Sequence, residues 1–214
     1  VHQLAYYDTL TGLPNRALFT AQAERLLADT RQAGKPLAVM FVDMDRFKLI
    51  NDAQGHAVGD ELLRDTAARL TRTLDADCLI GRQASDEFVA LLPGMDAEQA
   101  ALRAERVLAA LAQPMPLGQL TLHPSASIGI ALHPGDGSDI ETLLRNADLA
   151  MYRAKLAGGN GFRFYSTDMN RIVQENVALE TALREAVRRN QLHLCFQPQV
   201  EAGGNHRLHG VEAL

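Results

Sequence analysis

Cysteine is scarce in this chain of 214 residues: Cys78 and Cys195 stand far apart, each inside an apolar, strand-like run, with no CxxC spacing. That excludes a disulfide framework and reads as buried thiols in a reducing compartment. Runs of lysine and arginine are missing as well. With 21 basic against 26 acidic residues, a net charge of −5 and a pI near 5.8, the chain lacks the electrostatic footprint of a protein for duplex nucleic acid. A small anionic ligand remains open, because it needs only local cations. No apolar stretch approaches the roughly 18 residues of a membrane span, and no signal-peptide pattern occurs. A cytoplasmic setting follows as an expectation, with any membrane segment of a parent protein lying outside this chain.

What is present is a soluble, globular composition, 47% hydrophobic and 22% charged, sufficient to bury a core. The length exceeds one typical domain and falls short of two, which predicts one complete domain plus a fragment. Phe19, Ala23 and Leu26 form a helical stripe after Pro14-Asn15, closed by Gly34-Lys35-Pro36 before the apolar run Leu37 to Val42. Leu63, Ala67, Leu70 and Leu74 predict a second helix, and Ala101, Ala104, Leu108 and Leu111 a third. Ile140, Leu143, Leu144, Ala147, Met151 and Ala154 predict a fourth, stopped by Gly158-Gly159. Strands are expected at 78 to 82, 87 to 92, 120 to 122, 125 to 132 and 162 to 165. The close spacing of the first pair demands an antiparallel hairpin, so the expected fold is α/β (α+β), a mostly antiparallel sheet surrounded by helices. Residues 1–166 form that domain, a charged linker helix with Ile172, Leu179, Leu183 and Ala186 on one face covers 167–190, and strands of a cut second domain fill 191–214.

Two acidic groups carry the chemistry. Asp86-Glu87 sits at the tip of the hairpin, and Asp43-Met44-Asp45 ends the Leu37 to Val42 run, followed by a lysine and a Gly-rich loop. Side by side, these strand ends would make a site for a hard divalent cation holding a nucleotide phosphate, since Mg²⁺ prefers carboxylate, carbonyl and water oxygens. Taken singly, the residues read more plainly: Asp45 as a helix cap, Asp86-Glu87 as a solvated turn, Lys48 and Lys155 as surface lysines. His56 reads as stabilising its loop, and His206 with His209 as a hydrated hairpin tip without function.

Their order along the chain changes this. Asp8 to Arg16 (DTLTGLPNR), Asp43 to Asp52 (DMDRFKLIND), Gly55-His56, Gly59-Asp60, the hairpin Arg82 to Phe88, Ser127 to Ile130 and Ala147 to Lys155 (ADLAMYRAK) together resemble the GGDEF diguanylate cyclase domain. The tail Cys195 to Gln199 (CFQPQ) through Glu212-Ala213-Leu214 resembles the start of an EAL domain, the cyclic di-GMP phosphodiesterase family. The resemblance implies a cyclase or polymerase palm-like fold followed by the first strands of a truncated TIM-like barrel, in a tandem signalling protein of the bacterial second messenger cyclic di-GMP. It implies GTP as ligand or substrate and Mg²⁺ or Mn²⁺ as cofactor. Asp43, Asp86 and the Met44 carbonyl would hold metal, and Glu87 would act as base or metal-orienting group. Lys48 and Lys155 would neutralise phosphates, Asn51 and Asp60 would read guanine, and Ala84 and Ser85 would border the nucleotide. In the EAL remnant Glu212 would ligate metal and Gln197 contact substrate.

The departures from the family pattern are Ala84 and Ser85 where it places two glycines, and Gly159 where many relatives carry arginine. Left-handed backbone costs a non-glycine residue roughly 1–2 kcal/mol, and a misplacement of about 1 Å can lower an orientation-limited rate roughly 100-fold. An inhibitory Arg-x-x-Asp is replaced by Asp75-Ala76-Asp77-Cys78. The resulting expectation is a domain that binds GTP and Mg²⁺, cyclises poorly and regulates its own EAL domain. An active cyclase and a non-catalytic dimerising adaptor are the alternatives, with a homodimer among the partners.

Overall fold

The computed structural model describes residues 6–117 and 120–169, together with 179, 182–183, 185–189, 191, 194–200 and 208–213. The chain divides into two compact units, Val1–Met169 and Asn170–Leu214.

In the first unit, helix α1 (Arg16–Gln32) starts where the Asn15 side chain accepts the Leu18 amide hydrogen, satisfying one orphan donor of the first turn. It buries Phe19, Ala23, Leu27 and Thr30, so the stripe continues through Leu27 rather than Leu26. Strand β1 (Leu37–Met44) is buried along its whole length, which is why it reads as an unbroken apolar run. The segment after it is not the expected Gly-rich loop. It forms a short helix, α2 (Phe47–Gln54), whose buried Phe47 and partly buried Ile50 pack on the core. Eight residues seldom hold a helix by propensity alone, so this one depends on tertiary packing. Helix α3 (His56–Thr73) follows, then β2 (Leu79–Ala84) and β3 (Glu87–Pro93).

Helix α4 (Ala97–Leu111) opens with a capping box between Asp96 and Gln99. Its buried positions are Ala100, Ala104, Val107 and Leu111: the expected Ala104 and Leu111 are buried, while Ala100 and Val107 take the fully buried places expected for Ala101 and Leu108, which are half-buried. Its C-terminal carbonyls are gathered by a buried arginine: Arg69 Nη1 donates to the oxygens of Ala110 at 3.0 Å, Leu111 at 3.1 Å and Gln113 at 2.5 Å, while Nε pairs with Asp65. A small ribbon of β4 (Met115–Leu117) and β5 (Leu120–Leu122) leads to β6 (Ala126–His133), α5 (Ile140–Leu156) and β7 (Gly161–Phe164).

The main sheet runs in the order β2-β3-β1-β6-β7, antiparallel except for the parallel β6–β7 pair. Alternation along the strands sends Leu37, Val39 and Phe41 to one face, packed with Phe19 of α1 and with Ile140, Leu143, Ala147 and Met151 of α5. Ala38, Met40, Val42 and Met44 face the other way, onto α3 and α4. Helix α5 lies so close to β6 that a Cβ on Gly129 would overlap the backbone of Ala147 and Met151. This fixes α5, and everything it carries, against the end of the central strands.

In the second unit the expected linker helix falls largely outside the described residues; those described at 182–183 and 185–188 are helical, and Leu179 and Leu183 are exposed. Strands β8 (Phe196–Val200) and β9 (Leu208–Ala213) pair antiparallel, with Gln197 opposite Glu212. Among the described residues they make a two-stranded ribbon and no further barrel strand. His206 lies outside the described residues, and His209 is exposed on β9.

Candidate functional site

The centre of the site is the C-terminal end of β1. Register places Asp43 directly opposite Glu87 on β3 and Ser127 on β6, and the Met44 amide donates to the Asp86 carbonyl at 3.4 Å. The two acidic groups found in the sequence therefore meet, as neighbours across adjoining strands. Asp43 is only 5% exposed. The Lys155 ammonium, from the last turn of α5, lies 2.5 Å from its Oδ1 as an ion pair without aligned hydrogen-bond geometry.

Burial pushes the Asp43 carboxyl up to about 6; Lys155 opposes the rise, and the negative charges of Asp86 and Glu87 add to it. Glu87 is also raised, first by burial, then by the charges of Asp148 and Asp86, with Lys155 and Arg16 pulling the other way. Asp148 is raised by partial burial, opposed by Lys155. Four carboxylates thus share a small volume with one close ammonium. Such a set is short of positive charge, and a divalent cation would relieve it. Among the described residues, however, no three carboxylate, histidine or cysteine side chains converge on a point that could hold a metal ion. The Asp43 carboxylate stands at this strand end, where the Met44 amide joins it to the Asp86 carbonyl of the hairpin tip.

Across the strand ends lie the other expected contacts. Lys48 is exposed on α2, while Asn51 and Asp60, on α2 and α3, are half-buried. The Asn51 Oδ1 is buried without a hydrogen-bond partner among the described residues. That oxygen is packed against Gly59, where a Cβ would lie 1.9 Å from it, and an acceptor left without a donor costs about 1–3 kcal/mol. Glu212 sits exposed on β9 in the other unit.

The hairpin tip is held by a network that sequence reasoning did not assign. Arg82 Nε and Nη2 donate to the Ser85 carbonyl at 2.9 and 2.5 Å, and its Nη1 donates to Asp8 Oδ1 at 2.8 Å. Asp8 in turn accepts from the Thr11 amide and hydroxyl, and the Arg82 amide donates to the Pro14 carbonyl. The loop of residues 8–15 is thereby stapled to the tip. Ser85 adopts φ +26°, a left-handed conformation, whereas Ala84, at the end of β2 beyond a register shift after Arg82, is not among the positive-φ residues. Only one of the two altered glycine positions demands glycine-like backbone freedom. Both side chains are exposed.

Beside the tip, between α1 and α5, opens a cavity of about 690 Å³ lined by Arg16, Gln83, Ala84, Glu87, Arg145 and Asp148 among others. Arg16 and Asp148 were not singled out from the sequence. Their signals were available: Arg16 closes the block Asp8 to Arg16, and Asp148 stands two helical turns before Lys155, on the same face of α5.

Asp45 is not the helix cap that its position suggests. Arg46, not Asp45, occupies the cap position of α2, with φ +58° and no side-chain cap bond. Asp45 instead accepts from the hydroxyls of Ser125 and Ser127, each at 2.7 Å, and from the Asn160 amide at 2.8 Å. Those donors come from distant segments, beyond the reach of local pattern reading. Gly159, with φ +73°, faces this carboxylate: a Cβ there would lie 2.9 Å from Asp45 Oδ2.

Comparison with known proteins places this geometry. A family profile described as "Diguanylate cyclase, GGDEF domain" matches residues 5–161. The chain is 43% identical over 212 residues to the bifunctional diguanylate cyclase/cyclic di-GMP phosphodiesterase MucR of Pseudomonas aeruginosa, covering 99% of this chain and 31% of that protein. It is 38% identical over 214 residues to the cyclic di-GMP phosphodiesterase NbdA of the same organism, covering 100% and 27%. The chain thus spans about a third or less of the length of these curated relatives. Among solved structures, the isolated GGDEF domain of TpbB from Pseudomonas aeruginosa superposes with a TM-score of 0.76 at 38% identity, covering 79% of this chain and 99% of that one. The coiled coil and GGDEF domain of DgcB from Caulobacter crescentus, in complex with c-di-GMP, gives 0.70 at 25% identity, covering 76% and 87%.

Proposed function

The chain belongs to the diguanylate cyclase GGDEF family, and from that premise we propose that its first unit binds GTP with Mg²⁺, cyclises it poorly and regulates a phosphodiesterase domain joined to it. The fold is the palm-like α+β fold of that family, and cyclic di-GMP signalling is the process it serves. The observation that carries the finer reading is the contrast within the hairpin: Asp43, Asp86 and Glu87 are kept and adjacent, while the tip between them carries Ala84 and a left-handed Ser85.

Each part has a physical role. The fit of a hard cation rests on an all-oxygen donor set in which the buried Asp43 carboxylate, its Oδ1 paired with the Lys155 ammonium, stands beside further negative charge from Asp86 and Glu87. Asp43, Asp86 and the Met44 carbonyl would hold Mg²⁺ or Mn²⁺, which when bound neutralises charge on the reacting phosphates. Lys48 and Lys155 supply further positive charge to the triphosphate. Asn51 and Asp60 would read the guanine edge, an amide and a carboxylate matching its acceptor and donors. Glu87, with its carboxyl raised by burial and neighbouring charge, would take the proton of an attacking hydroxyl or orient a metal. Joining two GTP molecules requires two copies of the domain face to face, so cyclisation also calls for a homodimer. The Cβ atoms at 84 and 85 narrow the rim at which the nucleotides must meet, and phosphoryl transfer is dominated by positioning.

The names of the relatives support the regulatory part of the reading. The chain covers about a third or less of proteins named as phosphodiesterases or as bifunctional enzymes. In the fragment resembling an EAL domain, Glu212 as metal ligand and Gln197 as substrate contact stand opposite each other on β9 and β8. GTP would act by binding one arrangement of the two domains better than another.

The test is a GTP titration with Mg²⁺ on the longer protein, with cyclic di-GMP hydrolysis measured in parallel. Binding without cyclic product, together with altered hydrolysis, is the expected result. Identical hydrolysis with and without GTP removes the regulatory role. The intact Asp43–Glu87 register favours a second reading, an active cyclase, and accumulation of cyclic di-GMP from GTP would select it. Failure to bind GTP would leave a dimerising adaptor.

A further inference from the structure

We propose that Asp45 is a positioning residue that sets Lys155 against Asp43, and through that ion pair tunes the affinity for the nucleotide triphosphate. The proposal deepens the reading of this unit as a GTP site and rests on it for the affinity consequence, but not for the geometry.

Asp45 ties three separate segments together. Its amide donates to the Ser125 carbonyl at 2.9 Å, and its carboxylate accepts from Ser125 Oγ, Ser127 Oγ and the Asn160 amide. It therefore joins the end of β1, the start of β6 and the turn after α5. That turn is unusual: Gly158, Gly159 and Asn160 have φ of +113°, +73° and +49°, three consecutive residues on the left-handed side. The surrounding structure must over-determine such a run for it to persist. The Asp45 carboxylate is the anchor, since Asn160 donates to it and Gly159 packs over it.

The turn is connected directly to Lys155. The Gly158 amide donates to the Lys155 carbonyl, and the Gly159 amide donates to the Ala154 carbonyl, each at 3.1 Å. Anchoring the turn thus fixes the last turn of α5, from which the Lys155 ammonium reaches Asp43. Asp45 has a second effect. Ser127 lies opposite Asp43 in the β1–β6 register, yet its hydroxyl goes to Asp45. Asp43 is left to the ammonium, and to a cation when one is bound. Groups that act through another residue in this way typically change metal affinity by about 10–100-fold when removed.

The chain has three lysines, Lys35, Lys48 and Lys155, so their acylation rates can be separated by peptide mass spectrometry. In the nucleotide-free protein Lys155 is expected to react several-fold more slowly than the exposed Lys35 and Lys48, and Asp45→Asn should remove most of that protection. GTP–Mg²⁺ affinity is then measured for the wild type, Asp45→Asn, Lys155→Met and the double variant. We expect Asp45→Asn to weaken binding about 10-fold or more and to have little further effect in the Lys155→Met background. A Ser125→Ala/Ser127→Ala variant, which keeps the Asp45 charge but removes two donors, should reproduce the effect in part and serves if Asp45→Asn does not fold. Unchanged Lys155 protection in these variants, or fully additive losses in the cycle, overturns the proposal. A wild type that fails to bind GTP refutes the nucleotide reading instead, and the acylation comparison still decides the role of Asp45.

Discussion

Substituting glycine singly at 84 and at 85 should shift stability in opposite directions, because the two positions differ in backbone geometry. Ser85 has φ +26°, so Ser85→Gly relieves a left-handed cost of about 1–2 kcal/mol. Against this stands the greater freedom of glycine in the unfolded chain, about 0.4–1 kcal/mol. The net is a gain of roughly 0.5–1 kcal/mol, or about 1–4 °C in Tm for a chain of this size. Ala84 ends β2 beyond a register shift after Arg82 but is not among the positive-φ residues, and Ala84→Gly should cost about 0.5–1 kcal/mol. The Arg82 contacts are to the Ser85 carbonyl, so both substitutions leave them in place. Urea unfolding at constant m-value measures the two changes. In parallel, GTP turnover by the double Ala84→Gly/Ser85→Gly variant should rise if crowding of the rim limits cyclisation. Equal destabilisation by both single substitutions would refute the assignment of strain to Ser85.

Other consequences are as specific. Gly129→Ala places a methyl group into the backbone of α5 and should cost about 3 kcal/mol or more, read as loss of the cooperative transition or a large fall in urea midpoint. Arg69→Met strands the carbonyls at the end of α4 and the Asp65 carboxylate, and is expected to cost about 3 kcal/mol by the same measurement. Asp8 behaves differently with pH. Burial alone would raise its carboxyl, but Thr11 and Arg82 hold it below the ordinary carboxylate value. Its contribution is therefore complete above the unfolded-state carboxylate range and is lost as pH falls through the lowered folded value. Asp8→Asn should lower stability at neutral pH and flatten the acid limb of the stability curve; an unchanged limb would show that the staple between the 8–15 loop and the hairpin tip contributes nothing.

Much of the fold was legible in the chain because its elements carry one dominant period. Strand β1 reads as an apolar run since both its faces are covered, and α5 shows its stripe from Ile140 to Ala154. Helix α2 was missed because its Gly-containing, polar surroundings look like a loop, and its only deeply buried anchor is Phe47. On α4 the expected Ala104 and Leu111 are buried, but Ala100 and Val107 were passed over for Ala101 and Leu108, because apolar residues lie on several of its faces and the pattern alone does not distinguish neighbours.

The amino-acid order alone determined that two acidic groups end neighbouring apolar runs, that a lysine follows at the close of a helical stripe, and that the hairpin tip lacks its glycines. Those are local properties, set by residue type and spacing. Only the tertiary structure decided what the groups meet: Asp43 beside Glu87 through strand register, Lys155 against Asp43, Arg82 bridging Asp8 to the tip, and Asp45 gathering donors from β6 and the turn after α5. Partners separated by 80 or more residues, such as Asp45 with Ser125 and Asn160, leave no periodic trace, because their contact depends on sheet order and on how closely α5 can lie on β6.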